Sequence, residues 1–259
     1  MLTFYFSGTG NTRYLAQRFS RQMDANCISI EEAADCTHEI LQHAVIAFCY
    51  PIYGSRPPKP MREFVARHCE ALRGKSVVIF VTQMMFSGDG ARALLESLPR
   101  DHVDVIYAEH FNMPDNVPNL WPLFREKSVR TRLRMKARVD KKLSEACVAI
   151  QAGVRRKRGF APGSRTLGAL QGKPWLLFAE RLMGNRLKIH NACNLCGLCV
   201  TICPRKNLTQ RANQIVPLQD CVVCYRCVNR CPRRAITIFF HQKPKWQYYL
   251  SEESSWEKS

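Results

Sequence analysis

The chain has 259 residues, 13 cysteines and a formal net charge of +18. That length allows one domain of ordinary size and a second small one, at roughly 100–200 residues per domain. No apolar stretch approaches the roughly 18 residues of a membrane span, so no transmembrane segment is predicted. The first residues enter a strand-like run without a charged n-region or a small-residue cleavage site, which predicts no secretory signal.

The charge is unevenly distributed along the chain. Residues 1–119 carry a net −2, residues 120–188 a net +14 and residues 189–259 a net +6. The basic excess therefore lies on a connecting segment and around a group of cysteines, and not on the N-terminal part.

The N-terminal part alternates predicted strands and helices. Short apolar runs rich in Val, Ile, Phe and Tyr are typical of strands buried on both faces of a parallel sheet. They predict strands at 2–6, 26–30, 44–50, 76–82 and 103–108, with helical patterns at 12–23, 60–72 and 90–98. This alternation indicates a doubly wound α/β domain with a five-stranded parallel sheet. In such sheets, ligands bind beyond the carboxyl ends of the strands.

A polar, glycine-containing loop follows the first predicted strand. Its residues are Ser7, Gly8, Thr9, Gly10, Asn11 and Thr12. Glycines let the backbone approach an anion, and the N–H groups at a helix start favour negative charge. The loop has neither the lysine of a Walker A motif nor the third glycine of a dinucleotide fingerprint. A plain polar strand-to-helix turn is the alternative to an anion site.

The loop 7–12 resembles the phosphate-binding loop of flavodoxins, which binds FMN. The resemblance implies that the loop after the third strand flanks the isoalloxazine ring, with Tyr53 stacked on it. An ordinary tyrosine without that role is the alternative. The loop 82–90 matches the second flavin loop in position and glycine content, although its Met and Phe residues could equally be core. The implied FMN-binding residues outside the first loop are Pro51, Ile52, Tyr53, Gly54, Thr82 and Gly88.

A basic connector follows this part of the chain. Apolar residues at helical intervals predict one long helix over residues 119–152, ending before Gly153. The run 155–158 is entirely basic, and Gly, Pro and Arg through residue 174 indicate a linker. A short helix is predicted at 175–187. The predicted domains are thus 1–153, a basic linker 154–188, a cysteine-containing domain 189–240 and a tail 241–259.

Two segments, residues 193–204 and residues 221–232, each have the pattern C-x₂-C-x₂-C-x₃-C-P. This is the ligand run of bacterial ferredoxins, in which three cysteines hold one 4Fe–4S cluster and the fourth reaches the other cluster. Zinc sites usually separate two C-x₂-C pairs, so the third closely spaced cysteine disfavours zinc, and disulfides fit still less well. On the ferredoxin pattern one cluster takes Cys193, Cys196, Cys199 and Cys231, and the other takes Cys203, Cys221, Cys224 and Cys227.

The remaining cysteines, Cys27, Cys36, Cys49, Cys69 and Cys147, are scattered and are interpreted as ordinary small, often buried residues. Thiolates kept for clusters predict a reducing, cytoplasmic environment. Of these cysteines, Cys49 has the strongest case for a functional role, because it adjoins the predicted flavin loop.

Taken together, residues 1–240 resemble the fused flavodoxin–ferredoxin proteins of anaerobic bacteria. The resemblance implies a flavodoxin-like domain, a small α+β two-cluster domain, one FMN and two 4Fe–4S clusters, and an electron-transfer flavoprotein that converts between one- and two-electron carriers. A reductase of a small molecule fed by its own clusters and a redox- or iron-responsive binding protein are the alternatives. Enzyme activity and oligomeric state are left open.

The basic charge departs from ordinary flavodoxins and ferredoxins, which are acidic. Electrostatic steering toward an acidic redox protein, a ferredoxin or a flavodoxin, is the favoured interpretation. Nucleic acid is disfavoured because the run 155–158 has no interleaved aromatics, and anionic lipid is a further alternative. A solvated face without function also remains open.

Overall fold

The computed structural model describes residues 1–32, 35–119, 124–174, 180–239 and 242–250. The strands are β1 (Leu2–Tyr5), β2 (Asn26–Ser29), β3 (Val45–Pro51), β4 (Ser76–Gln83), β5 (Asp104–Asn112), β6 (Arg156–Lys157), β7 (Leu187–Ile189), β8 (Leu208–Arg211), β9 (Gln214–Pro217) and β10 (Ile236–Ile238). The helices are α1 (Asn11–Gln22), α2 (Thr37–Leu41), α3 (Lys59–Arg67), α4 (Cys69–Leu72), α5 (Val129–Gln151), α6 (Pro162–Pro174), α7 (Glu180–Asn185), α8 (Leu198–Thr201) and α9 (Arg226–Arg230), with a 3₁₀ helix at Arg92–Ser97.

The first six strands form one parallel sheet in the order β2-β1-β3-β4-β5-β6. α1 and α5 cover one face, where Phe19 packs edge-on against Phe80 with ring centroids 4.8 Å apart. α2, α3, α4 and the 3₁₀ helix cover the other face, where Phe64 packs on Phe4. Both faces are buried, which explains the continuous apolar runs of the central strands. The doubly wound α/β prediction is confirmed.

The prediction of five strands is wrong by one, because the basic run contributes β6. Arg156 and Lys157 pair with Tyr107 and Ala108 of β5, and the Arg158 N–H donates to the Ala108 carbonyl at 3.0 Å. A basic run carries no apolar strand signal in the sequence. The basic run is paired with a buried carboxylate nearly fifty residues earlier in the chain, so this pairing cannot be recognised from the local sequence.

Glu109 on β5 is that carboxylate, and its side chain is fully buried. Lys142 approaches it at 3.0 Å, Arg156 at 3.2 Å and Arg158 at 3.3 Å. Burial alone would raise the pKa of Glu109, but a hydrogen bond from the His110 N–H and the Lys142 ammonium outweigh it and hold that pKa below its ordinary value. These cations hold β6 on the edge of the sheet.

α5 begins ten residues later than the predicted helix 119–152. Ser128 caps it, its Oγ accepting from the Thr131 N–H at 3.3 Å, which fixes the start at Val129. Val139 and Leu143 are buried as the pattern predicts, whereas Val148 is exposed. Leu123, part of the predicted helix, lies outside the described residues. Among the helices that the structure describes, none combines the length and the apolar character needed to cross a membrane.

The predicted linker contains a helix packed on the sheet domain. Within α6, Gly168 lies against Asp89 and Gly172 against Arg56, so close that a Cβ at either glycine would come within 2.2 Å of those side chains. These glycines, four residues apart, lie on one face of α6 and let the helix pack closely on the sheet domain. In the sequence, the same glycines led to the prediction of a linker. The predicted helix 175–187 falls partly outside the described residues, and α7 and β7 occupy the rest.

Residues 187–239, here called the cysteine-rich unit, form two small antiparallel sheets and two short helices. β7 pairs with β10, and β8 with β9. The unit is tied to α3, where Lys59 pairs with Asp220 at 2.8 Å and Arg205 with Glu63 at 2.7 Å. It therefore lies against the sheet domain near the carboxyl ends of the strands.

The C-terminal segment 242–250 links both parts. The Gln247 side chain donates to the carbonyls of Val228 and Cys231, and the Leu250 N–H donates to the Thr9 carbonyl at 2.8 Å. The tail therefore packs on the sheet domain as well as on the cysteine-rich unit. Trp256 lies outside the described residues.

We predict that Glu109→Gln lowers the free energy of unfolding by about 2 kcal/mol, because it leaves three cations beside a neutral amide. The ionised carboxylate stabilises the fold fully above its ordinary pKa, and that contribution is lost as pH falls through the lowered pKa. Urea denaturation across pH should therefore show a flatter acid limb in the variant. Asp104→Asn, which removes a surface pair with Arg155, is the matched control and should cost less than about 1 kcal/mol. Equal losses in both variants would contradict this account of Glu109.

Candidate functional site

A cavity of about 400 Å³ opens at the carboxyl edge of the sheet, where the loops after β1, β3, β4 and β5 meet. Ten of the predicted FMN-binding residues line it: Ser7, Gly8, Thr9, Asn11, Thr12, Pro51, Ile52, Tyr53, Gly54 and Thr82. The structure thus brings together loops that are up to 75 residues apart in the sequence.

The two other predicted residues, Gly10 and Gly88, serve close packing. Gly10 has φ of +100°, and a Cβ there would lie 1.9 Å from the Leu250 carbonyl oxygen. Gly88 has φ of +55°, and a Cβ there would lie 2.7 Å from the Gly168 nitrogen. Each glycine is required by a positive φ and by a neighbouring backbone.

Hydrogen bonds hold loop 7–12 in one conformation. The Gly10 N–H donates to Ser7 Oγ at 3.1 Å, and the Thr12 and Thr82 hydroxyls lie 2.7 Å apart. Asn116 donates to Thr9 Oγ1 at 2.8 Å. α1 starts at Asn11, so its first N–H groups are directed toward the loop. This is an arrangement suited to an anion.

The outer walls of the cavity are apolar. Met85 is 70% and Phe86 55% exposed, and both line it together with Ile52. The Tyr53 ring is partly exposed while its hydroxyl oxygen is buried. Burial raises the pKa of Tyr53 well above its ordinary value, so the phenol is neutral at pH 7. Such walls suit a flat, apolar ring more than a sugar or a peptide.

Sequence analysis missed the loop after β5, which contributes Met113, Asp115 and Asn116 to the cavity. The fifth strand was predicted to end at 108, whereas β5 continues to Asn112. The extension 109–112 reads Glu-His-Phe-Asn, so the apolar run that predicted the strand stops at residue 108. The local sequence therefore carries no signal for the fourth loop at the carboxyl edge.

Asp115 is the titratable group of this loop, and it is only 5% exposed. Burial raises the pKa of Asp115 to about 6, against opposing effects of Lys127 and the Val117 N–H. Its Oδ1, like the Tyr53 hydroxyl and Gln83 Oε1, is buried without a hydrogen-bond partner in the described part of the chain. The cavity therefore offers unpartnered polar atoms to a bound molecule, one of which could exchange a proton near neutral pH.

Asp89, in the predicted flavin loop 82–90, is engaged by arginine side chains. It is fully buried, and its carboxylate lies 2.5 Å from Arg92 and 3.6 Å from Arg56. The cavity lining does not include it. Asp89 anchors both α6 and the loop that follows β4.

The two predicted cysteine sets are each gathered around a separate small cavity. One cavity is lined by Cys193, Cys196, Cys199 and Cys231, and the other by Cys203, Cys221, Cys224 and Cys227. Ile189, Ile215 and Ile236 complete the first, and Leu208, Val222 and Ile238 complete the second. In both, the fourth cysteine comes from the other run, as the spacing predicts.

The two runs repeat each other in backbone conformation. Equivalent residues take up positive φ: Leu195 and Val223 (59° and 56°), Gly197 and Tyr225 (74° and 58°), and Lys206 and Arg234 (50° and 49°). Backbone N–H groups donate to the sulfurs of Cys193, Cys203, Cys221 and Cys231 at 3.3–3.4 Å. Five side chains with a Cβ accept a conformation that favours glycine, which indicates that the sulfur positions are tightly specified.

The thiols are set in a low-dielectric environment. Burial raises the pKa of Cys199 to about 11, of Cys221 to about 12 and of Cys224 to about 11. Neighbouring cysteines of the same set add to each shift. Such a set binds as thiolates when a cationic centre offsets the burial.

The scattered cysteines lie outside these sites. Cys49 and Cys147 are buried in the same core cluster, and burial raises the pKa of both thiols. Cys69 Sγ lies 3.4 Å from His102 Nε2, with Glu70 nearby, but His102 also lies 2.7 Å from the Cys69 carbonyl and Glu70 pairs with Arg73. These groups are satisfied by one another.

The cysteine-rich unit forms one wall of the large cavity. Val223 and Tyr225, on either side of Cys224, line it. A Cβ at Gly8 would lie 2.4 Å from the Cys224 carbonyl oxygen and 2.9 Å from the Tyr53 hydroxyl. The cavity and the second cysteine set are thus in direct backbone contact.

Comparison with known proteins agrees with this fold. The sequence model of a family described as a flavodoxin domain matches residues 2–139, just over half of the chain. No curated protein matches the sequence.

Similar solved structures include a two-electron-reduced flavodoxin of Megasphaera elsdenii, with 21% identity, 57% of this chain and 98% of that chain covered, and a TM-score of 0.39. Oxidised flavodoxin 2 of Bacillus cereus has 15% identity, coverages of 58% and 97%, and a TM-score of 0.40. A Lactobacillus acidophilus flavoprotein in complex with FMN has 14% identity, coverages of 42% and 91%, and a TM-score of 0.35.

Proposed function

Because the chain belongs to the flavodoxin-domain family, we propose that it is an electron-transfer protein that binds FMN in the large cavity and two 4Fe–4S clusters in the cysteine-rich unit. One observation carries the proposal: the residues around Cys224 form a wall of the cavity whose floor is loop 7–12. A redox-active ligand in the cavity would lie directly beside a thiolate-ligand set.

The residues of the cavity fit FMN. Loop 7–12 and the start of α1 offer neutral donors to a phosphate, and the walls formed by Ile52, Tyr53 and Met85 suit a flat ring. The buried, unpartnered oxygens of Gln83 and Asp115 are suited to polar groups of the ligand. FMN, when bound, supplies one- and two-electron chemistry.

The two cysteine sets fit 4Fe–4S clusters. Each consists of four sulfurs in an apolar pocket with N–H donors to some of them, which is the environment that such clusters require. Cys199 and Cys227, from different sets, are near enough to interact electrostatically, so the two pockets adjoin. The chain's contribution is to hold the two sets next to each other, with the second set beside the cavity.

An acidic redox protein, a ferredoxin or a flavodoxin, is the partner that we propose. Three residues of the run 155–158 are paired with Asp104 and Glu109, so part of that charge is used within the fold. Lys206 and Arg233, each close in sequence to a cluster cysteine, are exposed. Positive charge at that surface favours an acidic partner near the clusters.

Cluster content gives the first test of the function. Anaerobically purified protein should contain about eight irons per chain, and Cys203→Ser should reduce this to about four by damaging the set of Cys221, Cys224 and Cys227. Iron and sulfide quantitation with electron paramagnetic resonance checks this. Cys69→Ser is the matched control and should leave iron unchanged. Stoichiometric zinc without iron would refute the cluster proposal.

FMN binding gives the second test. Thr9→Glu should weaken FMN binding by more than about 100-fold, because it places a carboxylate beside the phosphate dianion at the floor of the cavity. Flavin fluorescence titration of the full chain under anaerobic conditions measures this. Thr166→Glu, an exposed position on α6, should leave affinity unchanged. Wild-type protein that binds no FMN would remove the flavin from the mechanism.

The partner proposal predicts salt-sensitive electron exchange. Its rate with an acidic ferredoxin or flavodoxin should fall steeply above physiological ionic strength, where the screening length drops below about 8 Å. The double variant Lys206→Gln, Arg233→Gln should slow exchange. The same charge change at Arg138 and Lys141 of α5, beside the β5–β6 edge, should have little effect. Stopped-flow rates that ignore salt and both variants would favour a solvated face without function.

A further inference from the structure

Arg226 of the cysteine-rich unit reaches the backbone of loop 7–12. Its Nη2 donates to the Ser7 carbonyl at 2.6 Å and its Nε donates to the Gly8 carbonyl at 3.1 Å. Its Nη1 donates to the Ile202 carbonyl at 3.0 Å. A single guanidinium therefore joins the first cysteine run to the floor of the cavity.

Glu31 holds this guanidinium in place. Its two carboxylate oxygens lie 2.7 and 2.5 Å from Arg226 Nη1 and Nη2. The Arg226 side chain is 14% exposed. A planar fork paired with a carboxylate has a fixed orientation that a lysine ammonium cannot reproduce.

The direction of these hydrogen bonds has a consequence for anion binding. In a trans peptide, the carbonyl of one residue and the N–H of the next point in opposite directions. Arg226 turns the Ser7 and Gly8 carbonyls toward itself, so the N–H groups of Gly8 and Thr9 are turned away from it. The Thr9 carbonyl is likewise held by the Leu250 N–H, which turns the Gly10 N–H toward Ser7 Oγ. The Gly10 N–H is thus taken up by Ser7 Oγ, and the neighbouring N–H groups of Gly8 and Thr9 remain directed to one side, as in an anion-binding concavity.

We propose that Arg226 is the residue that sets the phosphate-binding conformation of loop 7–12, so that the order of the cysteine-rich unit controls the affinity for the phosphate of FMN. The proposal rests on the FMN and cluster sites proposed above. Arg226 lies between Cys224 and Cys227 in the sequence, and the Ile202 carbonyl that it binds precedes Cys203. Loading of the second cysteine set with a cluster therefore orders both Arg226 and the Ile202 carbonyl that it binds. By linkage, FMN binding stabilises that cysteine set by the same factor.

The test compares FMN with riboflavin, which lacks the phosphate. Arg226→Gln should raise the Kd for FMN by about 10- to 100-fold, the range for lost charge-assisted hydrogen bonds, and change the Kd for riboflavin less than about twofold. Arg226→Lys keeps the charge but loses the fork, and should weaken FMN binding to a similar extent. Arg230→Gln removes the same charge one turn later on α9 and should bind FMN normally. Circular dichroism and iron content show that each variant is folded and loaded.

The second arm removes the clusters. Depleting iron should weaken FMN binding by the wild type. In Arg226→Gln it should cause little further loss of FMN affinity, since the coupling passes through that side chain. Arg226→Lys binding FMN like the wild type would show a simple charge effect and overturn the proposal. So would equal losses for FMN and riboflavin, or equal effects of iron depletion in both proteins. A wild type that binds FMN tightly while Arg226→Gln is unchanged refutes this inference alone, whereas a wild type that binds no FMN refutes the proposed function with it.

Discussion

The backbone contact between Gly8 and Cys224 is the constraint on which the arrangement of the molecule depends. No side chain fits at Gly8, because a Cβ would lie 2.4 Å from the Cys224 carbonyl oxygen. The loop that forms the floor of the cavity and the segment 221–225 of the second cysteine set therefore touch through main-chain atoms. Contacts of this kind leave little freedom for one part to move without the other. The separation between the cavity and the sulfurs is thus set by main-chain packing and not by flexible side chains.

Two buried carboxylates of the sheet domain hold parts of the basic connector. Glu109 pairs with Lys142, Arg156 and Arg158 of the connector. Asp89 pairs with Arg56 of its own domain and contacts the connector at Gly168 of α6. An unpaired carboxylate in these positions would cost several kcal/mol, so the sheet domain requires positive charge close to it. Part of the positive charge of the connector is thus paired with a carboxylate of residues 1–119. The positive charge that remains exposed near the two cysteine sets is smaller than the total of +18 suggests.

The sequence predicts what local patterns determine. β1 to β4 were predicted within about two residues, since strands buried on both faces leave continuous apolar runs. The first of the loops that follow these strands was recognised from its glycine and hydroxyl content, and two others from their resemblance to flavodoxin loops. Residues of all three line one cavity. The grouping of the cysteines followed from the ferredoxin ligand pattern, and the structure gathers the same two sets.

What the sequence did not predict depends on distant partners. β6 exists because a buried carboxylate on β5 attracts a basic run, and α6 packs because two glycines face side chains some 80 and 115 residues earlier. Asp115 was missed because the end of β5 was placed too early. A single sequence carries no local signal for such pairings.

The cavity is therefore a property of the whole chain and not of its flavodoxin-like part. Val223 and Tyr225 close one wall, Gln171 of α6 reaches another, and Leu250 fixes the loop at its floor. Val223 and Tyr225 belong to the cysteine-rich unit, and the segment that ends at Leu250 is bonded to that unit through Gln247. A unit of this size buries too little apolar surface to be stable alone, and metal ligation commonly supplies the missing free energy. Whatever ligand orders the cysteine runs thereby also completes the cavity, so the two sites share one folding equilibrium.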